Sequence, residues 1–323
     1  MSDDAFDPNA KPMGGTELLE ANIRKALPEL TDQVQIMMSR PENYTFEDKP
    51  RVLILQDLPQ DPASAVLRDP TYRTQFNRIV FVSHWQQQQY NQYLGIPYSE
   101  GLVIKNGVPH RAAVLPKPKQ DGKLRFMYTS TPHRGLAILT AAAAALAKER
   151  QDWELHVYSS FKIYGWENAD EQFKPVFDAL KANPCVVYHG TQENSIVRGA
   201  LMDSHVFVYP SIYAETSCMA IQEALMSGCL AITTNFGALP ETAAEWAWMF
   251  EFDERPEVMI TRTLGCMRRA IDTYDDEHIH TILKLQSIYY QQFYSFEGRV
   301  ESWKHLLKAV ISEGTPVQKL VIE

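Results

Sequence analysis

Short runs of aliphatic and β-branched residues alternate, along most of the chain, with stretches whose apolar residues recur every three or four positions. The runs have strand length, and the periodic stretches have the spacing of a single buried helix face. In the first third, residues 34–38 (VQIMM), 51–55 (RVLIL) and 78–82 (RIVFV) predict strands. Between residues 16 and 27, Leu18, Leu19, Ile23, Ala26 and Leu27 predict a helix that starts directly after Gly14 and Gly15. A second series begins at LRFMYTS, residues 124–130, and continues with a helix over 135–150 that turns Leu136, Leu139, Ala143 and Leu146 inward. Strands are predicted at 153–159, 185–190, 205–211 and 229–233, separated by helices at 171–182, 193–202 and 217–227. From residue 257 onward the pattern is helical, ending in a helix over 297–311 that carries Trp303. Apolar strands alternating with helices are the mark of βαβ units and a parallel sheet buried on both faces.

Residues 101–123 interrupt the pattern. Asn106-Gly107 and three prolines, Pro109, Pro116 and Pro118, mark an irregular connection rather than an element. A chain of 323 residues is also too long for one comfortable core. The expected organisation is an α/β protein with a small N-terminal Rossmann-like domain over 1–106 and a doubly wound C-terminal domain over 107–294. A closing helical segment, 295–323, is expected to pack back toward the first domain. The stretch WQQQQYNQYLGIPY, residues 85–98, reads as an exposed helix.

Composition narrows the function classes. Hydrophobic residues make up 45% and charged residues 22%, ordinary values for a globular protein. The net charge is −9 with no dense Lys/Arg block, which argues against a general nucleic-acid-binding face but leaves room for a local basic groove. Lys105, Arg111, Lys117, Lys119, Lys123 and Arg125 form a loose basic stretch diluted by prolines and read as a solvated linker. No run approaches the ~20 apolar residues of a membrane span. The first residues, MSDDAFDPNAKPMGG, are acidic and turn-rich, unlike a secretory leader. Cys185, Cys218, Cys229 and Cys266 suit neither a CxxC pair nor a zinc site and read as reduced, mostly buried thiols. A cytoplasmic protein is expected.

The richest segment for chemistry is VFVYPSIYAETSCMAIQEALMSGCLAITTNFGALPE, residues 206–241. It runs strand, loop with Glu215, helix with Glu223, strand, then a Gly-Pro turn. In a doubly wound sheet, ligands sit outside the carboxyl ends of the strands. A helix starting near Thr216, Ser217 and Cys218 exposes unpaired N–H groups, and its positive dipole end suits a phosphate or diphosphate. Nearby carboxylates could accept hydrogen bonds from sugar and ribose hydroxyls.

Glu215 and Glu223, followed by Ser227-Gly228 and Gly237-Ala238-Leu239-Pro240-Glu241, resemble the donor-site motif of GT-B glycosyltransferases of the large retaining family four. That family includes sucrose synthases, glycogen synthases and bacterial mannosyltransferases. The resemblance implies that Glu215 contacts the donor sugar and Glu223 the ribose. It also implies that main-chain amides of Ser217, Cys218 and Met219, beside Thr216, hold the distal phosphate. YTSTPHRGL, residues 128–136, resembles the family's segment after the first C-terminal strand, where a cation neutralises the leaving diphosphate. Arg134 fits that role, with Ser130 and Thr131 as phosphate donors. The family's second cation would fall near Thr129, a departure for which His133 could compensate. Gly14-Gly15-Thr16 resembles the Gly-rich turn that approaches the donor from the other domain. On the acceptor side, Asp57 and His84 follow strand ends. His189-Gly190 reads as a turn shaping the base pocket.

The resemblance implies two Rossmann-like domains facing a cleft. The implied activity is transfer of a sugar, a hexose by expectation, from a UDP- or GDP-type nucleoside diphosphate sugar with retention. No metal and no cofactor beyond the donor substrate are expected. A non-catalytic nucleotide-sugar-binding subunit and a nucleotide-sugar epimerase of the same fold stay open. So do the donor base and the acceptor, whether glycan, lipid-linked sugar, small molecule, protein or modified nucleobase.

Overall fold

The computed structural model describes residues 12–243 and 246–316. In chain order the helices are α1 (Gly15–Ala26), α2 (Pro28–Thr31), α3 (Pro70–Arg73), α4 (His84–Leu94), α5 (Leu136–Ala147) and α6 (Lys174–Ala182). They continue with α7 (Asn194–Asp203), α8 (Met219–Met226), α9 (Leu239–Ala243), α10 (Pro256–Thr273), α11 (Glu277–Phe293) and α12 (Phe296–Glu313). Two compact units result. One holds Gly15–Pro109, Ala214–Ser217 and the described residues from Tyr294; the other holds His110–Tyr213, Cys218–Phe293 and the described residues before Gly15.

The N-terminal unit is built on four parallel strands, β1 (Gln35–Met38), β2 (Arg51–Leu55), β3 (Arg78–Phe81) and β4 (Gly101–Val103), in the order β1-β2-β3-β4. Both faces are buried, and strand alternation assigns the residues. Val52, Ile54 and Val80 face a cluster with Leu19 and Ile23 of α1 and Trp303, Leu307 and Val310 of α12. Leu53, Leu55, Ile79 and Phe81 face the opposite cluster with Tyr90 and Leu94 of α4. The period-2 switching of partners explains why these strands read as unbroken apolar runs.

Three sequence expectations change in detail. Residues 101–103 form strand β4 rather than irregular chain, and Gly101 lies so close to Phe81 that an added Cβ would sit 2.4 Å from its ring. Helix α4 is not an exposed helix: Gln86, Gln87, Tyr90 and Leu94 are buried. Gln86 accepts from Val82 N–H at 2.9 Å and donates to the carbonyls of Leu55 (3.1 Å) and Asp57 (2.9 Å). A glutamine that satisfies three main-chain groups is as much at home in a core as a leucine. Finally, Lys117 is buried rather than solvated. Its ammonium donates to the carbonyls of Leu201 (2.9 Å) and Ser204 (2.6 Å) and to Cys229 Sγ (3.4 Å). Burial pushes the Lys117 amine down and the Cys229 thiol up.

The C-terminal unit has six parallel strands, β5 (Leu124–Thr129), β6 (Trp153–Tyr158), β7 (Val186–Tyr188), β8 (Val206–Tyr209), β9 (Leu230–Thr234) and β10 (Trp248–Phe250). Their order is β10-β9-β8-β5-β6-β7. The chain moves outward from β5 to β7, then returns to the other side of β5 to lay down β8, β9 and β10. The crossover therefore reverses between β5 and β8, and their carboxyl ends form the switch point at which such sheets bind ligands. The four cysteines are free thiols; Cys185, Cys218 and Cys229 are buried. Among the described residues no helix is long and apolar enough to cross a membrane.

Candidate functional site

The switch point is shaped by a close backbone approach. Gly135 adopts φ +113°, and a Cβ there would lie 2.2 Å from the Pro210 carbonyl oxygen, so only glycine lets the turn after β5 touch the loop after β8. That turn carries His133 and Arg134 immediately before α5. The Arg134 guanidinium lies over the Tyr213 ring, 4.5 Å from its centroid. His133 stacks on Phe161 at 5.2 Å and meets Tyr213 edge-on at 5.6 Å, so its ring is fixed rather than a loose loop side chain. Ser211 accepts from Tyr213 N–H at 3.2 Å and donates to the Tyr213 carbonyl at 3.0 Å, which holds that aromatic in place.

Hydroxyl groups collect at the carboxyl ends of the neighbouring strands. Thr131 follows β5, Ser159 follows β6 and Thr191 follows β7, and their oxygens are shut off from solvent without a hydrogen-bond partner among the described residues. Thr131 is 5% and Ser159 2% exposed. Three buried orphan hydroxyls on three adjacent strand ends are costly unless something polar pairs with them. Ser130 reaches the Tyr209 hydroxyl at 3.4 Å, and Tyr128 donates to the Thr131 carbonyl at 3.1 Å. Tyr188 donates to the Ser159 carbonyl at 2.7 Å, and burial pushes its phenol up to about 12.

Beyond β7, Gly190 turns the chain with φ +68°. The preceding His189 stacks on Tyr158 at 4.3 Å and lies 3.0 Å from the His156 ring nitrogen. Burial lowers both histidine pKa values, so the pair is neutral near pH 7.

Helix α8 starts at Met219, capped by Cys218 with no side-chain hydrogen bond to its first turn. Cys218 thus takes up none of the first-turn N–H groups with its own side chain. Glu223 lies one turn in, and its carboxylate accepts from Arg198 Nε of α7 at 2.9 Å, with both side chains largely buried. Asn194, the first residue of α7, accepts from Met13 N–H (2.9 Å) and donates to the Met13 carbonyl (3.1 Å), which fixes the chain just before Gly14.

The sequence-predicted residues thus divide between the units. Gly14, Ser130, Thr131, His133, Arg134, Gly190, Cys218, Met219 and Glu223 belong to the C-terminal unit. Gly15, Thr16, Asp57, His84, Glu215, Thr216 and Ser217 belong to the N-terminal unit. Gly15 and Thr16 open α1. Glu215 is buried, and its segment is tied down by Thr216, which donates to the Gln56 carbonyl (2.7 Å) and accepts from Ser83 Oγ (2.6 Å). Thr216 and Ser217 precede the helix rather than starting it. Asp57 lies 3.8 Å from Arg40, and its carbonyl accepts from Gln86 and Tyr90. His84 is exposed at the first position of α4. Ser159, Thr191, Arg198 and Tyr213 were not singled out by sequence; their only signal was a polar or aromatic residue just past a strand or on a helix face. Among the described residues no group of three or more His, Cys, Asp or Glu is placed to hold a metal ion.

Residues 110–259 match the family model described as glycosyl transferases group 1. No curated protein sequence matches the chain. Among solved structures, a glycosyltransferase from Rickettsia africae ESF-5 aligns with a TM-score of 0.67 at 15% identity, covering 97% of this chain and 85% of that one. Sucrose-phosphate synthase from Thermosynechococcus elongatus aligns with a TM-score of 0.64 at 13% identity, over 93% and 79% of the two chains. Anabaena HepE, solved with UDP-glucose, aligns with a TM-score of 0.62 at 15% identity, over 81% and 72%. At these identities the likeness establishes the fold, a GT-B architecture of two Rossmann-like domains.

Proposed function

We propose that this chain, a glycosyltransferase whose residues 110–259 form a glycosyl transferases group 1 domain, moves a hexose from a UDP-sugar to an acceptor hydroxyl with retention and without a metal. The observation that carries the reading is the row of buried hydroxyls of Thr131, Ser159 and Thr191 at the strand ends of the switch point. They offer hydrogen bonds where a nucleoside diphosphate would lie. The uridine assignment draws on HepE, whose structure holds UDP-glucose.

In this reading Arg134 and the first-turn amides of α8, at Cys218 and Met219, take up the charge that develops on the departing diphosphate. Ser130 and Thr131 supply hydroxyl donors to it, while His133 supports the turn. Glu223 accepts from the ribose hydroxyls, its carboxylate aimed by Arg198. Glu215 accepts from the hydroxyls of the donor sugar. Retention follows from attack on the face that the diphosphate leaves, with the leaving phosphate taking the acceptor proton. Because Arg134 and the helix amides carry the compensating charge, no divalent cation is required.

The test is a donor panel followed by product analysis. Incubation with UDP-glucose, UDP-N-acetylglucosamine, GDP-mannose and ADP-glucose should give UDP release from a uridine donor only, unaffected by EDTA. Glu215→Ala should abolish release while UDP still binds. A product that stays nucleotide-linked would make the protein an epimerase, and tight donor binding without any turnover would make it a binding subunit.

A further inference from the structure

The column of rings that fixes His133 does not end at Phe161. Trp166 stacks on Phe161 in turn, with centroids 6.4 Å and planes 24° apart, and Tyr164 meets Trp166 at 5.3 Å. His133 and Phe161 lie 14° from parallel, so three rings run outward from the turn that carries Arg134. Phe161 is buried, whereas Trp166 is 57% exposed. The column therefore presents an indole to solvent from the loop after β6, the strand next to β5.

That loop is tied down. Residues 160–173 contain two 3₁₀ turns, Phe161–Tyr164 and Glu167–Phe173. Asp170 closes the loop by accepting from Phe161 N–H at 2.8 Å and from the Ser160 hydroxyl. Trp166 N–H donates to the Phe161 carbonyl (3.3 Å), and the Trp166 carbonyl accepts from Ala169 N–H (3.1 Å). An aromatic surface fixed in this way loses little freedom when a ligand settles on it.

A flat aromatic face takes either a nucleobase or the C–H face of a sugar ring, and charge separates the two. Between residues 160 and 173 the chain carries three carboxylates, Glu167, Asp170 and Glu171, and one ammonium, Lys162. A polynucleotide would bring its phosphates to a loop of net negative charge. A pyranose ring is neutral and brings hydroxyls, which Lys162, Asn168 and Glu171, all exposed on the same loop, can meet as donors and acceptors.

We propose that Trp166 is a stacking platform for a sugar ring of the acceptor that does not itself react, which makes the acceptor an oligosaccharide or glycan. The platform stands on the loop alone, and its use by an acceptor rests on the glycosyl-transfer reading above.

The experiment applies the full chain to an array of defined glycans, then titrates the best-retained oligosaccharide in solution by calorimetry. Parallel titrations use UDP and a single-stranded oligothymidylate. Trp166→Leu should weaken oligosaccharide binding roughly tenfold, and Trp166→Phe, which keeps an aromatic face, should retain most of it. UDP affinity and melting temperature should stay unchanged in both variants. With the same oligosaccharide as acceptor, Trp166→Leu should raise the acceptor KM and leave kcat within a few-fold. Retention of no glycan, tighter binding of the oligothymidylate, or indifference to Trp166→Leu would overturn the proposal. So would a loss of UDP affinity in that variant, which would place the donor base on the indole, or a self-association that it abolishes. Donor turnover without Trp166-dependent glycan binding sinks the platform alone. Trp166-dependent glycan binding with no donor turnover under any condition sinks the transferase reading and leaves the platform standing.

Discussion

Arg198 of α7 donates through Nε to the carboxylate of Glu223 of α8 at 2.9 Å, with side-chain exposures of only 10% and 15%. The pair locks the orientation of a carboxylate one turn into the helix whose first turn faces the proposed diphosphate. If Glu223 binds ribose, Arg198 is a positioning residue, and its loss should act on donor binding. A charge-assisted hydrogen bond in a partly buried setting contributes about 1.5–3 kcal/mol. Arg198→Met should therefore raise the donor KM by roughly 10- to 100-fold and leave kcat within a few-fold. Arg198→Lys should recover part of the loss. Steady-state kinetics against donor concentration decide it; a fall in kcat at constant KM would reject the role.

The contact between Gly135 and the Pro210 carbonyl makes a sharper prediction. Gly135→Ala has to place a methyl group 2.2 Å from that oxygen and hold φ at +113°. Either the turn or the loop after β8 must move, and Arg134, the neighbour of Gly135, moves with it. The strain and displacement together should cost on the order of 3 kcal/mol. Urea denaturation should show the lower midpoint, and UDP titration a weakened site. Wild-type values in both would mean that the approach of these two segments is not needed.

Gln86 tests whether the buried face of α4 is as polar as its geometry says. Gln86→Leu keeps the volume but strands Val82 N–H and removes the donor from the Leu55 and Asp57 carbonyls. The stranded Val82 N–H, with a donor lost to the Leu55 carbonyl and only Tyr90 left to the Asp57 carbonyl, should lower stability by about 2–4 kcal/mol. Gln86→Glu should be no better at neutral pH, since a carboxylate can accept from Val82 but cannot donate to two carbonyls. Equilibrium unfolding at constant m-value is the measurement. A leucine variant as stable as wild type would refute the account.

What could be read from sequence follows the strength of each physical signal. Long periodic segments announced themselves: β2, β3, β5, β6, β8 and the amphipathic α1 and α12 lie where hydrophobic spacing places them. Strand β4 has only three residues and opens a stretch dominated by Asn106-Gly107 and prolines, so it reads as connection, whereas β7, equally short, stands out as an apolar run between helices. Polar residues misled where tertiary structure supplied partners: Gln86 and Lys117 are polar by composition and buried by geometry. The same limit governs the site. Arg134 and Glu223 stand in local strings that a sequence can show, whereas Arg198 meets Glu223 only because α7 lies beside α8. Ser159 and Thr191 are ordinary hydroxyl residues until the strand order sets them next to Thr131. Residues 1–11, which carry most of the turn-rich acidic start, lie outside the described part of the chain.

The last prediction concerns pH and turns on His205. Its Nδ1 accepts from Arg125 N–H at 2.9 Å, and its Nε2 lies 3.3 Å from the Pro118 carbonyl. That arrangement needs the neutral ring protonated on Nε2, because a proton on Nδ1 would face the Arg125 N–H. Burial, reinforced by nearby Lys117, Arg125 and Lys119, pulls the pKa to about 4 from its ordinary 6.5. The unfolded chain takes up the proton near pH 6.5 and the folded chain only near pH 4. Stability is thus full above pH 6.5 and is lost as pH falls from there toward 4. His156 and His189, lowered mainly by burial, push the same way. The melting temperature should therefore fall by several degrees between pH 7 and pH 4.5. His205→Asn, whose side-chain carbonyl can still accept from Arg125, should flatten the slope. An unchanged slope in that variant would move the proton uptake to the His156–His189 pair, and His156→Asn would then be the substitution that flattens it.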